Sequence, residues 1–358
     1  MSSATLAGPF RPKHKVLSSL FRPIYFFSFL ILCGWLLWKA LTPSLPKSDT
    51  PLRLYSNQSQ GDLTLTFLEA IRQATHSIDL IMFGLSDPGI LKELEKKGKE
   101  GISPQVYYDF SGSPNLHTLL PHCVLHPILQ TGLMHQKILI LDEEMVFLGS
   151  ANMTPQSLQM HDNLVIGLSN QKIASFLKEK AARSSGHLRT LVGGQEISLW
   201  LLPDLKNEAL NELRIKLQNA RHSIKVALFT FTHPLLLKEL LIAHKKGIQV
   251  TVVVDMHSGV GASKKTVETL QKAGVPLLFS QGIQLLHHKF VYIDGETLIT
   301  GSANWTKSAF EKNSDILLFL PHLLEEQKKF MDSLWHRLTS TAKKPNMYPP
   351  HSKRTEKD

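Results

Sequence analysis

The sequence predicts an α/β protein made of two similar α/β sandwich lobes, preceded by an N-terminal membrane helix. Helical and β-rich runs alternate along the chain, two stretches repeat each other, and an uncharged apolar run lies near the N-terminus. The chain has 358 residues, of which 42% are hydrophobic and 20% are charged, a globular composition. That length fits two ordinary domains or one large domain of two similar halves.

The apolar run covers residues 24–41 and follows a basic segment at residues 1–23. Eighteen helical residues rise about 27 Å, just short of a hydrocarbon core of about 30 Å. The run therefore predicts a single-pass transmembrane anchor, although a cleaved signal peptide, which leaves a secreted protein, fits the same pattern. Basic residues are denser before the run than after it, so we expect the rest of the chain on the non-cytoplasmic side.

Both ends of the chain are basic, whereas its centre is nearly neutral. The formal net charge is +10, and residues 1–52 carry six Lys/Arg against one acid. Residues 341–358, a predicted disordered tail, carry five Lys/Arg against two acids, which leaves only +2 for residues 53–340. Nonspecific nucleic-acid binding depends on basic patches, so this centre weakens a nucleic-acid interpretation.

Two lobes are predicted, at residues 53–192 and 195–340, after a proline-containing linker at residues 42–52. Within them ATHSIDLIMFGL, which starts at Ala74, matches ARHSIKVALFTF, which starts at Ala220. Each half reads as helix, buried strand, helix, strand, and then two strands around a turn. The offset between the halves grows from 146 to 152 residues, so the second half holds six extra residues, which we place near 256–265.

A histidine, a lysine and an aspartate recur at identical spacing in the two halves, and a Gly-Ser-Ala-Asn stretch begins seven residues after each aspartate. The first set is His135, Lys137, Asp142, Ser150 and Asn152. The second set is His287, Lys289, Asp294, Ser302 and Asn304. Two complete copies at one offset indicate a duplicated half of an active site.

The residue types in these sets suit phosphate chemistry. A histidine and a lysine two residues apart on a strand point to the same face, so each set presents an imidazole beside an ammonium group. Serine hydroxyls and asparagine amides can hydrogen-bond to phosphate oxygens. The two cysteines, Cys33 and Cys123, have no metal-type spacing. We therefore expect a cationic pocket for a phosphodiester, without a metal or another cofactor.

This pattern resembles the phospholipase D superfamily, whose signature is HxKx4D followed by a Gly-Ser-x-x-Asn element. The resemblance covers residues 53–340 and implies the phospholipase D fold, with one active site at the interface of the lobes and complete in a monomer. It also implies a ping-pong mechanism through a covalent phosphohistidine, in which His135 is the nucleophile and His287 is the general acid and base. The two motif aspartates would be structural members of the catalytic motif. The remaining motif residues would bind the phosphate oxygens; they are Lys137, Lys289, Ser150, Asn152, Ser302 and Asn304.

The residues expected to orient the histidines differ between the halves. In the family an acidic residue downstream usually accepts the Nδ1–H of each histidine. Asp315 lies 28 residues after His287, but the same position after His135 is Asn163, a neutral acceptor. Asp162 is adjacent but would face the other way on a strand. We therefore expect the two histidines to differ in basicity.

The resemblance leaves three activities open: phospholipase D action on membrane phospholipid, Nuc-like cleavage of DNA or RNA, and phosphatidyl transfer of the cardiolipin synthase type. The apolar run favours a lipid substrate, and the nearly neutral centre weakens the nuclease interpretation. Cardiolipin synthases usually carry two membrane spans, whereas one run is visible here. The favoured interpretation is therefore hydrolysis, or transphosphatidylation, of glycerophospholipid head groups.

Overall fold

The computed structural model describes residues 8, 25–36, 42–58, 62–182, 184–281 and 284–345. The chain forms two compact units, Met1–Ser44 and Leu45–Asp358. The first unit contains helix α1 at residues 25–36, all of which are exposed. No helix within the described ranges is long and apolar enough to cross a membrane. The remainder of the predicted span, residue 24 and residues 37–41, lies outside the described residues.

The first sheet of the second unit has seven strands. They are β1 (Arg53–Tyr55), β2 (Ile78–Met82), β3 (Gln105–Asp109), β4 (Val124–Ile128), β5 (Lys137–Leu141), β6 (Met145–Gly149) and β7 (Val165–Ser169). Their order in the sheet is β1-β7-β6-β5-β2-β3-β4. The helices of this part are α2 (Leu63–Gln73), α3 (Pro88–Lys99), α4 (Leu116–Leu119), α5 (Pro155–Gln159) and α6 (Gln171–Lys180).

The second sheet has eight strands. They are β8 (Gly186–Val192), β9 (Gln195–Leu201), β10 (Ser223–Leu228), β11 (Gln249–Val254), β12 (Leu277–Phe279), β13 (Lys289–Ile293), β14 (Thr297–Gly301) and β15 (Ile316–Leu320). Their order is β12-β11-β10-β13-β14-β15-β9-β8. The helices are α7 (Glu208–Gln218), α8 (Pro234–Lys245), α9 (Met256–Val260), α10 (Lys264–Lys272), α11 (Lys307–Glu311) and α12 (Glu325–Thr341).

The sequence repeat is also a structural repeat. The series β7-β6-β5-β2-β3-β4 matches β15-β14-β13-β10-β11-β12 in order. The parallel pair β2–β3 and the antiparallel pair β2–β5 recur as β10–β11 and β10–β13. The extra residues of the second half lie between β11 and β13, where α9 and α10 replace the single short helix α4. This agrees with the predicted insertion near 256–265.

A shared apolar core fills the space between the two sheets. Strand β5 contributes Ile138 and Ile140 to it, and β13 contributes Phe290 and Tyr292, together with residues of α6 and α12. The opposite face of the first sheet packs against α2 and α3, and that of the second sheet against α7, α8 and α10. Because both faces of each sheet are covered, the central strands read as continuous apolar runs.

The boundary between the lobes differs from the predicted one. Strand β8 pairs with β9 around a turn at Gly193 and Gly194, and both strands belong to the second sheet. The predicted first lobe, residues 53–192, is therefore too long, and its predicted end is a hairpin turn. The two glycines have φ of 51° and 79°, a geometry that glycine adopts without strain. Adjacent glycines indicate a turn, but they do not show which sheet the strands join.

The predicted linker and tail are partly folded onto the lobes. Leu45 and Leu52, within the predicted linker at 42–52, are buried in the apolar cores. At the other end Lys343 exchanges backbone hydrogen bonds with Phe279, so regular pairing continues past residue 340. Both predictions rested on proline content and charge. These properties do not show whether a single apolar residue of the segment packs into a core. Residues 346–358 lie outside the described residues.

Candidate active site

Each motif histidine lies just before the strand that carries the rest of its motif. Lys137 is the first residue of β5 and Lys289 the first of β13, two residues after His135 and His287. The Nζ of Lys137 donates to the carbonyl oxygen of His135 at 2.6 Å, and Lys289 does the same to His287 at 2.8 Å. The lysine and histidine of each motif are therefore held side by side, although the histidine is on the approach to the strand.

The residues just before β5 and β13, which include His135 and His287, form backbone hydrogen bonds with the opposite lobe; we call them the approach segments. The backbone N–H of His135 donates to the carbonyl oxygen of Ser314 at 2.8 Å. Reciprocally, the N–H of His287 donates to the carbonyl oxygen of Asp162 at 3.0 Å. These two exchanges bring both histidines to the contact between the lobes.

Each histidine ring is also held by a residue of the opposite lobe. The Nδ1 of His135 is 2.8 Å from Oδ1 of Asp315, and the Nδ1 of His287 is 3.0 Å from Oδ1 of Asn163. The spacing within each half identified the right two residues, but the expected pairing of Asp315 with His287 and of Asn163 with His135 is wrong. The approach segments exchange partners at the interface, and spacing within one half cannot reveal that exchange.

The hydrogen bonds of Asn163 define the tautomer of His287. Its amide nitrogen donates to the carbonyl oxygens of Ser157 and His161, at 2.8 Å and 3.2 Å. The amide oxygen therefore faces His287, and because it can only accept, Nδ1 of His287 carries the hydrogen. The Asp315 carboxylate likewise accepts from Nδ1–H of His135. In both rings Nε2 is left as the reactive nitrogen.

The two motif serines support these orienting residues. The hydroxyl of Ser150 donates to Oδ1 of Asn163 at 2.8 Å, and that of Ser302 donates to Oδ1 of Asp315 at 2.6 Å. Each serine oxygen also accepts a backbone N–H, from Leu164 or Ile316. Both serines are fully buried, so they position the orienting residues here. Their direct binding of phosphate remains a prediction.

The two motif asparagines are less buried and differ in their contacts. The amide oxygen of Asn152 accepts from the backbone N–H of Gly84 at 3.2 Å. The amide oxygen of Asn304 is buried without a hydrogen-bond partner. Phosphate binding by these two residues also remains a prediction.

The motif aspartates lie at the far ends of their strands from the lysines. Asp142 accepts from the backbone N–H groups of three consecutive residues, Thr75, His76 and Ser77. Asp294 does the same for Arg221, His222 and Ser223. A strand of five residues is about 16 Å long, so neither carboxylate reaches the histidines. The structural role that the resemblance implies for both aspartates fits these backbone contacts and remains a prediction.

Replacing Asp142 with alanine should lower the free energy of unfolding by about 2 kcal/mol, because three backbone donors lose a charged acceptor. Burial opposes ionisation of Asp142, but these donors hold its pKa below the ordinary value. The stabilisation is therefore present at neutral pH and is lost as the pH falls through the lowered pKa. Urea unfolding at pH 7 and at low pH measures this, with the exposed Glu268→Ala on α10 as control. Equal losses in both variants would contradict the assignment.

Two further pairs of repeated residues shape the site, and the sequence interpretation missed them. Asp109 is the last residue of β3 and Asp255 directly follows β11. Each accepts the backbone N–H of the residue before a motif histidine, at 3.0 Å and 3.2 Å. Phe83 and Phe229 cover the two lysines, with Nζ to ring-centroid distances of 5.0 Å and 5.2 Å. Both pairs recur at the offset of 146 residues, which was a usable signal.

The two lysines and two histidines of the motifs are all buried. Burial, opposed by Asp315 and Asp109, lowers the pKa of Lys137 to about 7. Burial and then the charge of Lys137 hold the pKa of Lys289 well below its ordinary value. Burial and the lysines also lower the pKa of both histidines, His287 the more strongly, while Asp315 opposes the shift at His135. Each of these shifts disfavours the charged form of its group, so an anion bound beside the four groups would oppose the shifts.

When sulfate binds to this pocket at pH 8, the protein should take up about one proton or more per anion. The negative charge of the anion raises the lowered lysine pKa toward its ordinary value, so a lysine that was neutral becomes protonated. Titration calorimetry in buffers of different ionisation enthalpy measures the uptake. Lys137→Met should reduce it, whereas Lys329→Met, on the exposed face of α12, should not. Identical heats in every buffer would show that the lysines are already charged in the free site.

The described part of the chain contains no group of three or more His, Cys, Asp or Glu residues that could hold a metal ion. That no cofactor is needed remains an expectation.

A family model described as "Cardiolipin synthase, PLD-like domain" matches residues 67–184 and 213–337, more than half of the chain. The chain belongs to the phospholipase D superfamily. Among solved structures, phosphatidylserine synthase of Haemophilus influenzae has a TM-score of 0.63 at 14% identity, covering 87% of this chain and 93% of that one. At that identity the likeness shows the phospholipase D fold alone, with both lobes included.

Curated relatives in the superfamily match a shorter part of the chain. The mitochondrial cardiolipin hydrolase of Xenopus laevis is 32% identical over 131 residues, which are 36% of this chain and 62% of the relative. A phospholipase D of Rickettsia bellii is 26% identical over 105 residues, which are 29% of this chain and 52% of the relative. The chain thus spans about half of the length of these relatives.

Proposed function

We propose that this chain is a phosphodiesterase of the phospholipase D type, which hydrolyses or transphosphatidylates glycerophospholipid head groups through a phosphohistidine. The observation that carries the proposal is the pair of buried imidazoles, each held through Nδ1 by the opposite lobe and each beside a lysine. One imidazole can attack phosphorus while the other protonates the leaving oxygen. Both steps need two histidines in one pocket.

His135 is the proposed nucleophile. When Nε2 of an imidazole is bonded to phosphorus and Nδ1 keeps its hydrogen, the ring is a cation. The carboxylate of Asp315 at 2.8 Å stabilises that cation by a charge-assisted hydrogen bond in a buried site. Asn163 offers His287 only an amide dipole. The difference between the orienting residues therefore supports the role that the resemblance implied for His135.

His287 is the proposed general acid and base. Its pKa is well below the ordinary value in the free site, because of burial and the two lysines. A bound phosphodiester brings negative charge beside the ring and favours its protonated form, which can donate to the leaving oxygen. Once the leaving group has departed, the neutral ring beside Asn163 can accept a proton from water or an alcohol.

The two lysines are the proposed holders of the nonbridging phosphate oxygens. Both ammonium groups lie at the start of their strands, next to the histidines and over the rings of Phe83 and Phe229. Fixed cationic donors in a buried pocket stabilise the charge that develops on these oxygens as the new bond forms.

The roles of the histidines can be separated with bis(p-nitrophenyl) phosphate, whose leaving group departs without protonation. His287→Asn should give a burst of p-nitrophenolate equal to the enzyme concentration and then stop at a covalent phosphohistidine, seen by mass spectrometry. His135→Asn should give no burst. A burst in His135→Asn alone would reverse the roles, and no adduct in either variant would contradict the covalent route.

A lipid substrate is supported by the names of the relatives, by the apolar N-terminal run, and by the low net charge of residues 53–340. The test is the purified chain on labelled phospholipid vesicles and on DNA in parallel, with and without EDTA. We expect phosphatidic acid from the vesicles, phosphatidylethanol when ethanol is added, and no effect of EDTA. Cleavage of DNA alone would establish the endonuclease instead, and activity restored by Mg²⁺ or Zn²⁺ after EDTA would contradict the metal-free mechanism.

Membrane attachment through residues 24–41, with the lobes on the non-cytoplasmic side, is part of the proposal and rests on the charge pattern of the sequence. Protease added to spheroplasts or intact vesicles should digest the lobes and spare a tag at the N-terminus. Protected lobes would reverse the topology. Recovery of a mature chain that begins near Leu41 would replace the anchor with a cleaved signal peptide.

A further inference from the structure

One surface segment of the first lobe carries no charge. Residues 110–136 contain no Asp, Glu, Lys or Arg, although these types make up 20% of the chain. The corresponding stretch of the second lobe, residues 256–288, contains Lys264, Lys265, Glu268 and Lys272. All four of these charged residues lie on α10, one of the two helices that replace the short helix α4 in the second lobe.

The uncharged segment places three exposed apolar side chains at the edge of the active site. Phe110, Leu129 and Leu133 are 55%, 79% and 41% exposed, and we call these three residues the apolar rim. Phe110 and Leu129 directly follow Asp109 and Ile128, the last paired residues of the parallel strands β3 and β4.

The same edge carries the motif histidine of the first lobe. Strand β5 runs antiparallel to β2 and pairs Lys137 with Met82, so the approach to β5 lies at the carboxyl end of β2 and β3. Met134, between Leu133 and His135, donates its backbone N–H to Asp109. The apolar rim is therefore continuous with the wall of the pocket.

The matching edge of the second lobe is polar at the position of the most exposed residue of the apolar rim. The register of the two sheets makes Gln281, which is exposed, the counterpart of Leu129. A lysine also borders the apolar rim, since Gly132 approaches the backbone of Lys312 so closely that a Cβ on the glycine would collide with it. Lys312 itself is exposed. Apolar tips beside a cation suit the surface of a bilayer that contains anionic lipid.

We propose that the apolar rim docks on a phospholipid bilayer and presents the pocket to it, which rests on the proposed lipid substrate. Large apolar side chains exposed beside a catalytic pocket mark an interaction surface. A nucleic acid would require Lys and Arg along this edge, and residues 110–136 supply none. Because only the first lobe carries the apolar rim, the membrane would contact one side of the pocket, and this fixes the orientation of the pocket relative to the membrane.

The first test places an environment-sensitive fluorophore on the full chain at Leu129→Cys, in a Cys33→Ser, Cys123→Ala background. Val124→Cys is the matched control, because Val124 is 43% exposed but begins β4 at the opposite end of the strand. In vesicles of phosphatidylcholine and cardiolipin, lipids brominated on their acyl chains should quench the label at position 129 and not at 124. Equal quenching at both positions, or none at 129, would overturn the proposal.

The second test compares turnover of vesicle phospholipid with turnover of soluble bis(p-nitrophenyl) phosphate. Leu129→Gln, which copies the second lobe, should lower the vesicle-to-soluble ratio by about tenfold, whereas Val124→Gln should leave it unchanged. An unchanged ratio for Leu129→Gln would reject docking while leaving the proposed function intact. If lipid does not quench the label at position 129, and the chain self-associates in a way that Leu129→Gln abolishes, the apolar rim is a contact between copies of the chain. That result would reject docking on a bilayer. If the parent chain cleaves no lipid, the proposed function fails, and the quenching test still decides docking.

Discussion

Alanine at either motif histidine should abolish steady-state turnover, with a loss of about 10³-fold or more for each variant. The structure holds both imidazoles in one buried pocket, His135 through Asp315 and His287 through Asn163. Neither ring can do the work of the other within one turnover, so the two losses should be similar and the double variant little worse. Initial rates on labelled phospholipid and on bis(p-nitrophenyl) phosphate measure the effect.

The control is His76→Ala, because this exposed residue contacts the far end of β5 only through its backbone. Near-normal turnover in either motif variant alone would show that the two motifs act as independent sites. Mixing the two inactive variants should restore nothing, because all the groups described above belong to one chain. Restored activity on mixing would mean that two chains share a site.

Asp315→Asn should lower kcat by about 10³-fold and change KM little. The variant keeps the shape of the side chain but removes the charge that stabilises His135 as a cation, and its amide can also orient the wrong tautomer. Burial and Lys137 lower the pKa of His135 and Asp315 opposes them, so this pKa should fall further in the variant. The acidic limb of the kcat/KM profile should therefore move to lower pH while the plateau falls.

Asp162→Asn is the matched control for that experiment. Asp162 is also a buried acid beside an orienting residue, but its contact with a motif histidine is made by its backbone carbonyl. Burial, followed by the charge of Asp255, raises the pKa of Asp162 to about 7, so an amide resembles its protonated form. We expect a loss of less than about tenfold. Equal losses in the two variants, or a normal kcat for Asp315→Asn, would reject the proposed role of Asp315.

Much of the fold followed from local patterns. The pairs β5 with β6 and β13 with β14 were predicted because buried strands read as apolar runs, and the turns at Asp142 and Asp294 interrupt those runs. The edge strands β1, β4, β8 and β12 were not identified. Their residues are few or partly exposed, so their composition resembles that of loops.

The chemistry of the site was readable because a duplication leaves two copies to compare. The repeat identified the histidines and the lysines, and the resemblance to the family, together with the equal spacing in the two halves, identified the two orienting residues. The structure assigned the serines of the Gly-Ser-Ala-Asn stretches to the support of Asn163 and Asp315. A serine offers the same hydroxyl in either role, and its residue type does not show which way the hydroxyl points.

The sequence by itself determined the motif histidines, lysines, serines and asparagines of the site, because residue identity and spacing along a strand are local properties. Tertiary structure alone decided that Asp315 serves His135 and Asn163 serves His287, that β8 joins the second sheet, and that Phe110, Leu129 and Leu133 border the pocket. Each of these depends on contacts between segments far apart in the chain. Such contacts are set by how the two sheets pack around their shared core, and no pattern within one half of the repeat encodes them.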